Sequence, residues 1–319
     1  MKSILNVNSS PHIKHFDTTS GIMLDVIIAL LPACVFGCII FGFRAALVVA
    51  TAIMVAVLSE FLWNKILKKD MTIGDLSAVV TGLLLGMNLS PKTPLWIVAI
   101  GSVVAIIVVK QMFGGIGCNF ANPAITARIV LLVSFPSALS KYDLPFIDTV
   151  TEATPLAYLS SGSLSYLPES INFKNLFFGL QEGCIGETSA FLLLIGGLYL
   201  VMRRVISPVI PLSYIGSVAL LSFVAGDNLT IAVFGGGLML GAIFMATDYT
   251  TSPTSALGKL IFGLGCGVIT FVIRKFASLP EGVSYSILIM NILVPYINKV
   301  SLKKPFGYIA PKKEVTPNE

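Results

Sequence analysis

Three carboxylates stand inside or at the edge of strongly apolar stretches: Asp25, Glu60 and Asp248. A charge in an apolar medium is expensive, so such acids pair with a partner or line an ion path. All three are candidates for cation movement. Asp25 and Glu60 fall near the ends of their stretches, where interfacial water would serve them equally well. Asp248 sits in the run Met245-Ala246-Thr247-Asp248-Tyr249 with Thr250 beyond it, and there Thr247 and Asp248 read as a ligand or ion site. A second group lies at residues 114–123, Gly-Gly-Ile-Gly-Cys-Asn-Phe-Ala-Asn-Pro. Its glycines allow close backbone approach. Asn122 followed by Pro123 reads as the cap and first residue of a helix. Free N–H groups at that helix start, with Asn119 beside them, suit an anionic or carbonyl-rich ligand, although a glycine-rich turn with a cap also simply starts a helix. Gly186-Glu187-Thr188-Ser189 opens a further apolar stretch. A carboxylate in a first turn suits the helix dipole, so Glu187 and Thr188 either cap a helix or hydrogen-bond a ligand. Residues 148–155, with Asp148, Thr151, Ala153 and Thr154, read from the residues alone as a polar turn. Cys34 and Cys38 are one helical turn apart, but no C-x-x-C pair is present among the five cysteines, and no metal site is expected from this chain alone.

These groups must be positioned by a membrane fold. Of 319 residues, 55% are hydrophobic and only 12% charged, against about 25% charged in soluble domains; mean hydropathy is +0.89. Such a chain cannot cover a water-facing surface, and the bilayer is its natural solvent. The net charge of +5 does not indicate nucleic acid, because the basic residues fall in short clusters between apolar runs. Residues 1–17 hold no apolar core ahead of a cleavage site, so no removable signal peptide is expected.

Ten apolar segments follow: 22–41, 45–63, 75–89, 94–112, 123–139, 187–201, 208–225, 229–246, 255–273 and 283–297. The third, fifth and eighth are short or interrupted, as half-helices around a buried site are. Lys65, Lys68, Lys69, Lys110, Arg203, Arg204, Lys259 and the tail lysines fall on one side of a ten-span topology, which the positive-inside rule makes cytoplasmic together with both termini. The long connection 140–186 then faces outward. The two halves share an order of features. Thr19-Ser20 matches Thr188-Ser189, and Gly86-Met87 then Ser90-Pro91 matches Phe244-Met245 then Ser252-Pro253. Five helices per half force the halves into opposite orientations. The expected fold is all-α and polytopic, with about ten transmembrane helices in two inverted five-helix repeats. Its parts are an N-terminal segment 1–21, a first repeat 22–139, an outward loop 140–186, a second repeat 187–300 and a tail 301–319.

Taken together, Pro94-Leu95-Trp96, the 114–123 run, residues 148–154, Gly186 to Ser189, and Phe244 to Asp248 with Ser252-Pro253 resemble one family. The chain resembles the D subunit of the Rnf complex and is similar to the B subunit of the sodium-translocating NADH:quinone reductase; its short N-terminus favours the former. The resemblance implies FMN bound covalently through its phosphate to Thr154, in a pattern that Asp148, Thr151 and Ala153 match and from which Glu152 departs by replacing a glycine. It implies attachment outside the cytoplasm by a flavin transferase, in the cell's inner membrane. It also implies a second, non-covalent riboflavin or flavin inside the bundle, for which Asn119, Asn122, Thr247 and Asp248 are the candidate lining. Glu60 and Asp248 match family acids, Glu60 one tied to sodium movement. The implied activity is electron relay between ferredoxin and NAD, coupled to Na+ or H+ translocation, in a hetero-oligomer whose other subunits bind NAD and ferredoxin. A solute channel or transporter is the alternative from another class, and membership of a quinone-reducing relative is a third reading.

Overall fold

The computed structural model describes residues 18–144, 147–151, 156, 173–179, 183–277 and 282–301. Glu152, Ala153 and Thr154 lie outside the described residues. Each of the ten expected segments is represented by a helix. The first half holds α1 Thr19–Phe41, α2 Phe43–Ile66, α3 Ser77–Met87, α4 Leu95–Val103 and α5 Pro123–Ser134. The second holds α6 Ala190–Met202, α7 Val209–Val224, α8 Leu229–Phe234, α9 Ala256–Phe276 and α10 Val283–Ser301. Four of them, α1, α2, α9 and α10, are long and apolar enough to cross a bilayer, and α3 to α7 include the shorter apolar helices. Large apolar side chains such as Ile39, Met54, Leu212 and Phe223 point outward over half exposed. Helices that are apolar on their outer as well as their inner faces belong in lipid. The protein is a polytopic membrane protein.

Three segments are interrupted, as the sequence indicates. α3 has only 11 residues, and the turn Ile73–Asp75 before it is separated by Leu76 at φ +57°. α5 stops before Phe135-Pro136. α8 ends at Phe234, resumes as the turn Leu238–Leu240 and continues as a π-helix, Gly241–Met245. A second π-helix, Val104–Gln111, prolongs α4 and was not foreseen. Nor was a small antiparallel hairpin, β1 Tyr142–Leu144 with β2 Ile147–Thr151, in the long connection. The backbones of Asp148 and Thr151 lie in β2.

The helices that head the two halves show how the halves are related. Asp25 of α1 meets Tyr199 of α6 and Arg203 at its C-cap. Further along, a Cβ on Gly196 of α6 would stand 2.3 Å from the Ala29 carbonyl, and one on Gly37 of α1 would stand 2.4 Å from the Ile185 carbonyl. Residue numbers therefore rise along α1 as they fall along α6. The two run antiparallel in close contact that only small residues permit. Within the halves, α2 packs on α3 and α4 as α7 packs on α8 and α9, and α5 touches α10 across the seam. These contacts are those of an inverted repeat.

Candidate functional site

The broken helices converge on one cavity at the seam. It is partly open to the surroundings. α1 supplies Ile22, Met23 and Val26, α3 supplies Ser77, Val80, Thr81 and Leu84, and Phe244 comes from the π-turn of α8. Its polar wall is Lys110, Asn119, Asn122, Thr247, Asp248 and Thr250. The glycine-rich turn and the Thr247-Asp248 turn, 128 residues apart between Asn119 and Thr247, thus face one space. Asn122 is nearly sealed from solvent. Its Oδ1 accepts the N–H groups of Ala124 at 3.0 Å and Ile125 at 3.4 Å, so it caps α5, and its Nδ2 donates to the Met245 carbonyl at 3.1 Å. One side chain starts a helix of the first half and ties it to the broken helix of the second. Asn119 Oδ1 is a buried acceptor with no hydrogen-bond partner among the described residues.

Asp248 lies in the turn between α8 and α9, outside the spanning helices. Its carboxylate accepts from the Thr250 and Thr251 hydroxyls at 3.1 and 3.2 Å. Burial pushes its pKa above the usual carboxylate value and outweighs the opposing hydrogen bonds, chiefly from Thr250. The cavity has a polar edge and an apolar body. A free acceptor stands at Asn119, hydroxyl oxygens at Thr247 and Thr250, and apolar walls at Val26, Val80, Leu84 and Phe244. That lining suits a ring of the kind the resemblance implies.

Glu60 is not at interfacial water. It is 1% exposed, and Lys110, 2% exposed, stands 3.1 Å from both its oxygens. Lys110 also donates to Ser77 Oγ at 2.6 Å, and Gln111 and Thr72 donate to Glu60 Oε1 at 2.9 and 2.8 Å. Counting Lys110 as a cytoplasmic surface charge is therefore corrected: the π-helix prolonging α4 turns it inward onto Glu60. Asp25 is likewise paired, accepting from Tyr199 OH at 2.8 Å and from Arg203 at 3.1 Å.

Glu187 and Thr188 do not line the cavity. Glu187 sits in the turn Ile185–Glu187 and accepts the Cys184 N–H at 3.4 Å, while Ser189 caps α6. Thr188 donates to the Ile185 carbonyl. The capping alternative describes this stretch. Glu187 also lies 3.8 Å from Arg128 of α5, a buried cation that donates to Asn88 Oδ1 at 2.5 Å. Asn88 in turn reaches Met245 Sδ at 3.4 Å. Among the described residues no group of three or more His, Cys, Asp or Glu is placed to hold a metal.

At the other end of α9, Leu156 is buried against Leu176 and Ile231. It lines a small cavity with Asp227, Arg274 and Lys275. Gly236, at φ +67°, permits this seat, since a Cβ there would stand 2.3 Å from Leu156 Cδ1. Leu156 is two residues beyond Thr154.

A family model described as NQR2, RnfD, RnfE matches residues 6–307. The chain belongs to this family. It is 47% identical over 313 residues to the D subunit of the Na+-translocating ferredoxin:NAD+ oxidoreductase complex of Acetobacterium woodii, covering 97% of this chain and 98% of that protein. It is 43% identical to the D subunit of the proton-translocating ferredoxin:NAD+ oxidoreductase complex of Clostridium ljungdahlii, with 96% and 97% covered. The D subunit of the ion-translocating oxidoreductase complex of Stutzerimonas stutzeri is 35% identical, with 90% and 91% covered. The first two of these relatives are named for different ions at nearly equal identity, so overall likeness does not select the ion. Among the buried polar residues that sequence reasoning missed are Lys110, Gln111, Ser77, Asn88 and Arg128. The signal for two of them was available: Lys110 and Arg128 are cations in apolar segments, subject to the same cost as the acids.

Proposed function

We propose that this chain is the D subunit of an Rnf-type complex that passes electrons between ferredoxin and NAD+ and moves Na+ or H+ across the inner membrane. In this reading it works with the complex's other subunits, both termini are cytoplasmic, and the 140–186 connection faces outward. The observation that carries the reading is the convergence of Asn119, Asn122, Thr247 and Asp248 on one cavity at the seam of the inverted halves. A non-covalent riboflavin or flavin would be held there, and a covalent FMN at Thr154 after maturation by a flavin transferase. Flavin supplies one- and two-electron transfer. The chain's residues would bind and orient it: Asn119 offers an acceptor, Asn122 holds the wall beside it, and the apolar wall excludes water from its body. Support for the Thr154 site is the seat of Leu156, which fixes the chain two residues downstream.

The test is denaturing electrophoresis of the purified chain under ultraviolet light, with peptide mass mapping. A fluorescent band is expected, with FMN on the Thr154 peptide and no band in Thr154→Ala. A second flavin should be released into the supernatant on denaturation. A dark band from cells that express the transferase would remove the covalent site, and a colourless supernatant would remove the cavity flavin.

A further inference from the structure

Glu60 and Lys110 form the most deeply buried ion pair among the described residues. Their surroundings are asymmetric. Lys110 and Ser77 line the seam cavity, whereas Thr72, Gln111 and Asn64 line a second, open cavity with Lys68, Asp70, Gly114 and Gly115. Glu60 is bonded to Lys110 on the first side and to Thr72 and Gln111 on the second, so the pair lies between the two. At Glu60 the oxygens are those of its carboxylate and the Thr72 hydroxyl, with the Ser77 hydroxyl beyond Lys110, while Gln111 donates its amide N–H to Glu60 Oε1. Carboxylate and hydroxyl oxygens suit a small hard cation. The Lys110 ammonium occupies that place at 3.1 Å from both carboxylate oxygens.

We propose that Lys110 is an internal cation that fills the Glu60 site and yields it to a small free monovalent cation when negative charge enters the neighbouring seam cavity. The source of that charge, an electron delivered to a cavity flavin by the complex, rests on the function proposed above. Lysine suits this role because its ammonium rides on a flexible four-carbon stem. Its stem leaves a π-helix, a backbone feature common at functional sites. Charge stays balanced throughout. Before the electron, Lys110 neutralises Glu60. Afterwards Lys110 faces the cavity anion and the entering cation neutralises Glu60, so no step leaves a buried charge unpaired. One electron in the cavity is matched by one cation at Glu60.

The experiment measures melting temperature of the purified full chain in NaCl against choline chloride, for wild type, Lys110→Met and Lys110→Met with Glu60→Gln. In the oxidised state wild type should be indifferent to Na+. The single variant should gain a melting temperature that rises with NaCl and saturates, and the double variant should lose that rise. A monodisperse Lys110→Met chain with no Na+ response overturns the proposal and leaves the pair a structural one. Should that variant not fold, 22Na+ retention by the wild-type complex is measured before and after reduction with dithionite. A Na+ gained on reduction and lost in Glu60→Gln supports the exchange, and equal retention in both states overturns it. Flavin absorbance of the same samples is read separately. Its absence would sink the flavin reading without touching the Na+ response of Lys110→Met.

Discussion

Asn122→Ala would break the cavity seam at one side chain. Two contributions are lost. The cap on α5, bonds of 3.0 and 3.4 Å to Ala124 and Ile125, contributes about 1 kcal/mol, with a range of roughly 0.5–2. The bond to the Met245 carbonyl, 3.1 Å long and made by a residue 3% exposed, leaves an unpaired buried acceptor that costs about 1–3 kcal/mol. The two share one residue, and water from the adjoining cavity offsets the upper end, so the expected loss is about 2–4 kcal/mol. At roughly 2 °C per kcal/mol for a chain of this size, the melting temperature should fall by about 4–8 °C. Asn122→Ser separates the terms: serine keeps the cap but cannot reach Met245, and it should lose about half as much. Unfolding in detergent is followed by the fluorescence of Trp63 and Trp96 at one fixed scan rate, because irreversible unfolding makes the midpoint depend on rate. The eluting flavin is measured alongside. An alanine variant melting within about a degree of wild type would refute the claim that Asn122 holds the halves together. One that melts low but keeps its full flavin would refute its place in the cavity wall.

Asp248→Asn should be more stable than wild type at neutral pH. The carboxyl's pKa is raised by burial, so its favourable contribution is complete below the unfolded value of about 3.9 and is lost as pH rises through the folded one. The gap in melting temperature should open across that window and close in acid, and a pH-independent gap would argue against burial as the cause. Gly236→Ala should drive Leu156 from its seat, since the new Cβ would stand 2.3 Å from Leu156 Cδ1. In-gel flavin fluorescence per unit of protein should then fall several-fold with Thr154 intact, and unchanged labelling would show that the seat does not position the attachment segment.

The ten helices were legible because apolar length and interruption are both written in composition. The breaks fall where Pro136 and Gly235–Gly237 deny a helix its donors or its side chains. The cap at Asn122 was legible because Asn followed by Pro has few other uses. The π-helices were not, since a shift from i→i−4 to i→i−5 bonding changes no residue's propensity and is decided by tertiary packing. That missed shift mattered: it turns Lys110 inward. The hairpin was visible only in retrospect, in Ile147, Val150 and Thr151 on a strand too short to stand out from a polar connection. Glu187 was read as either cap or ligand contact, and sequence had no means to show Arg128 at 3.8 Å.

The rule that buried charge marks function applies equally to both signs, to Lys110 and Arg128 as to the acids. Lys110 meets Glu60 across 50 residues of sequence, which no local spacing reveals. Removing Lys110 from the basic count leaves the topology intact, because Lys65, Lys68, Lys69, Arg203, Arg204 and Lys259 still fall on one side. The structure gives that side a second meaning. Lys68 and Lys69 line the cavity behind Glu60. Arg204 and Lys259 line another that shares Val205, Ile206, Thr247 and Tyr249 with the seam cavity. The seam cavity therefore belongs to the basic end of the bundle, by the start of α9. The Leu156 seat lies by Arg274 at the far end of α9, whose 21 residues span about 30 Å. In the function proposed above, a flavin at each place would lie toward opposite faces of the membrane. An electron moving between them would carry charge across the bilayer, and the Glu60–Lys110 pair would stand beside the end where a compensating cation enters or leaves.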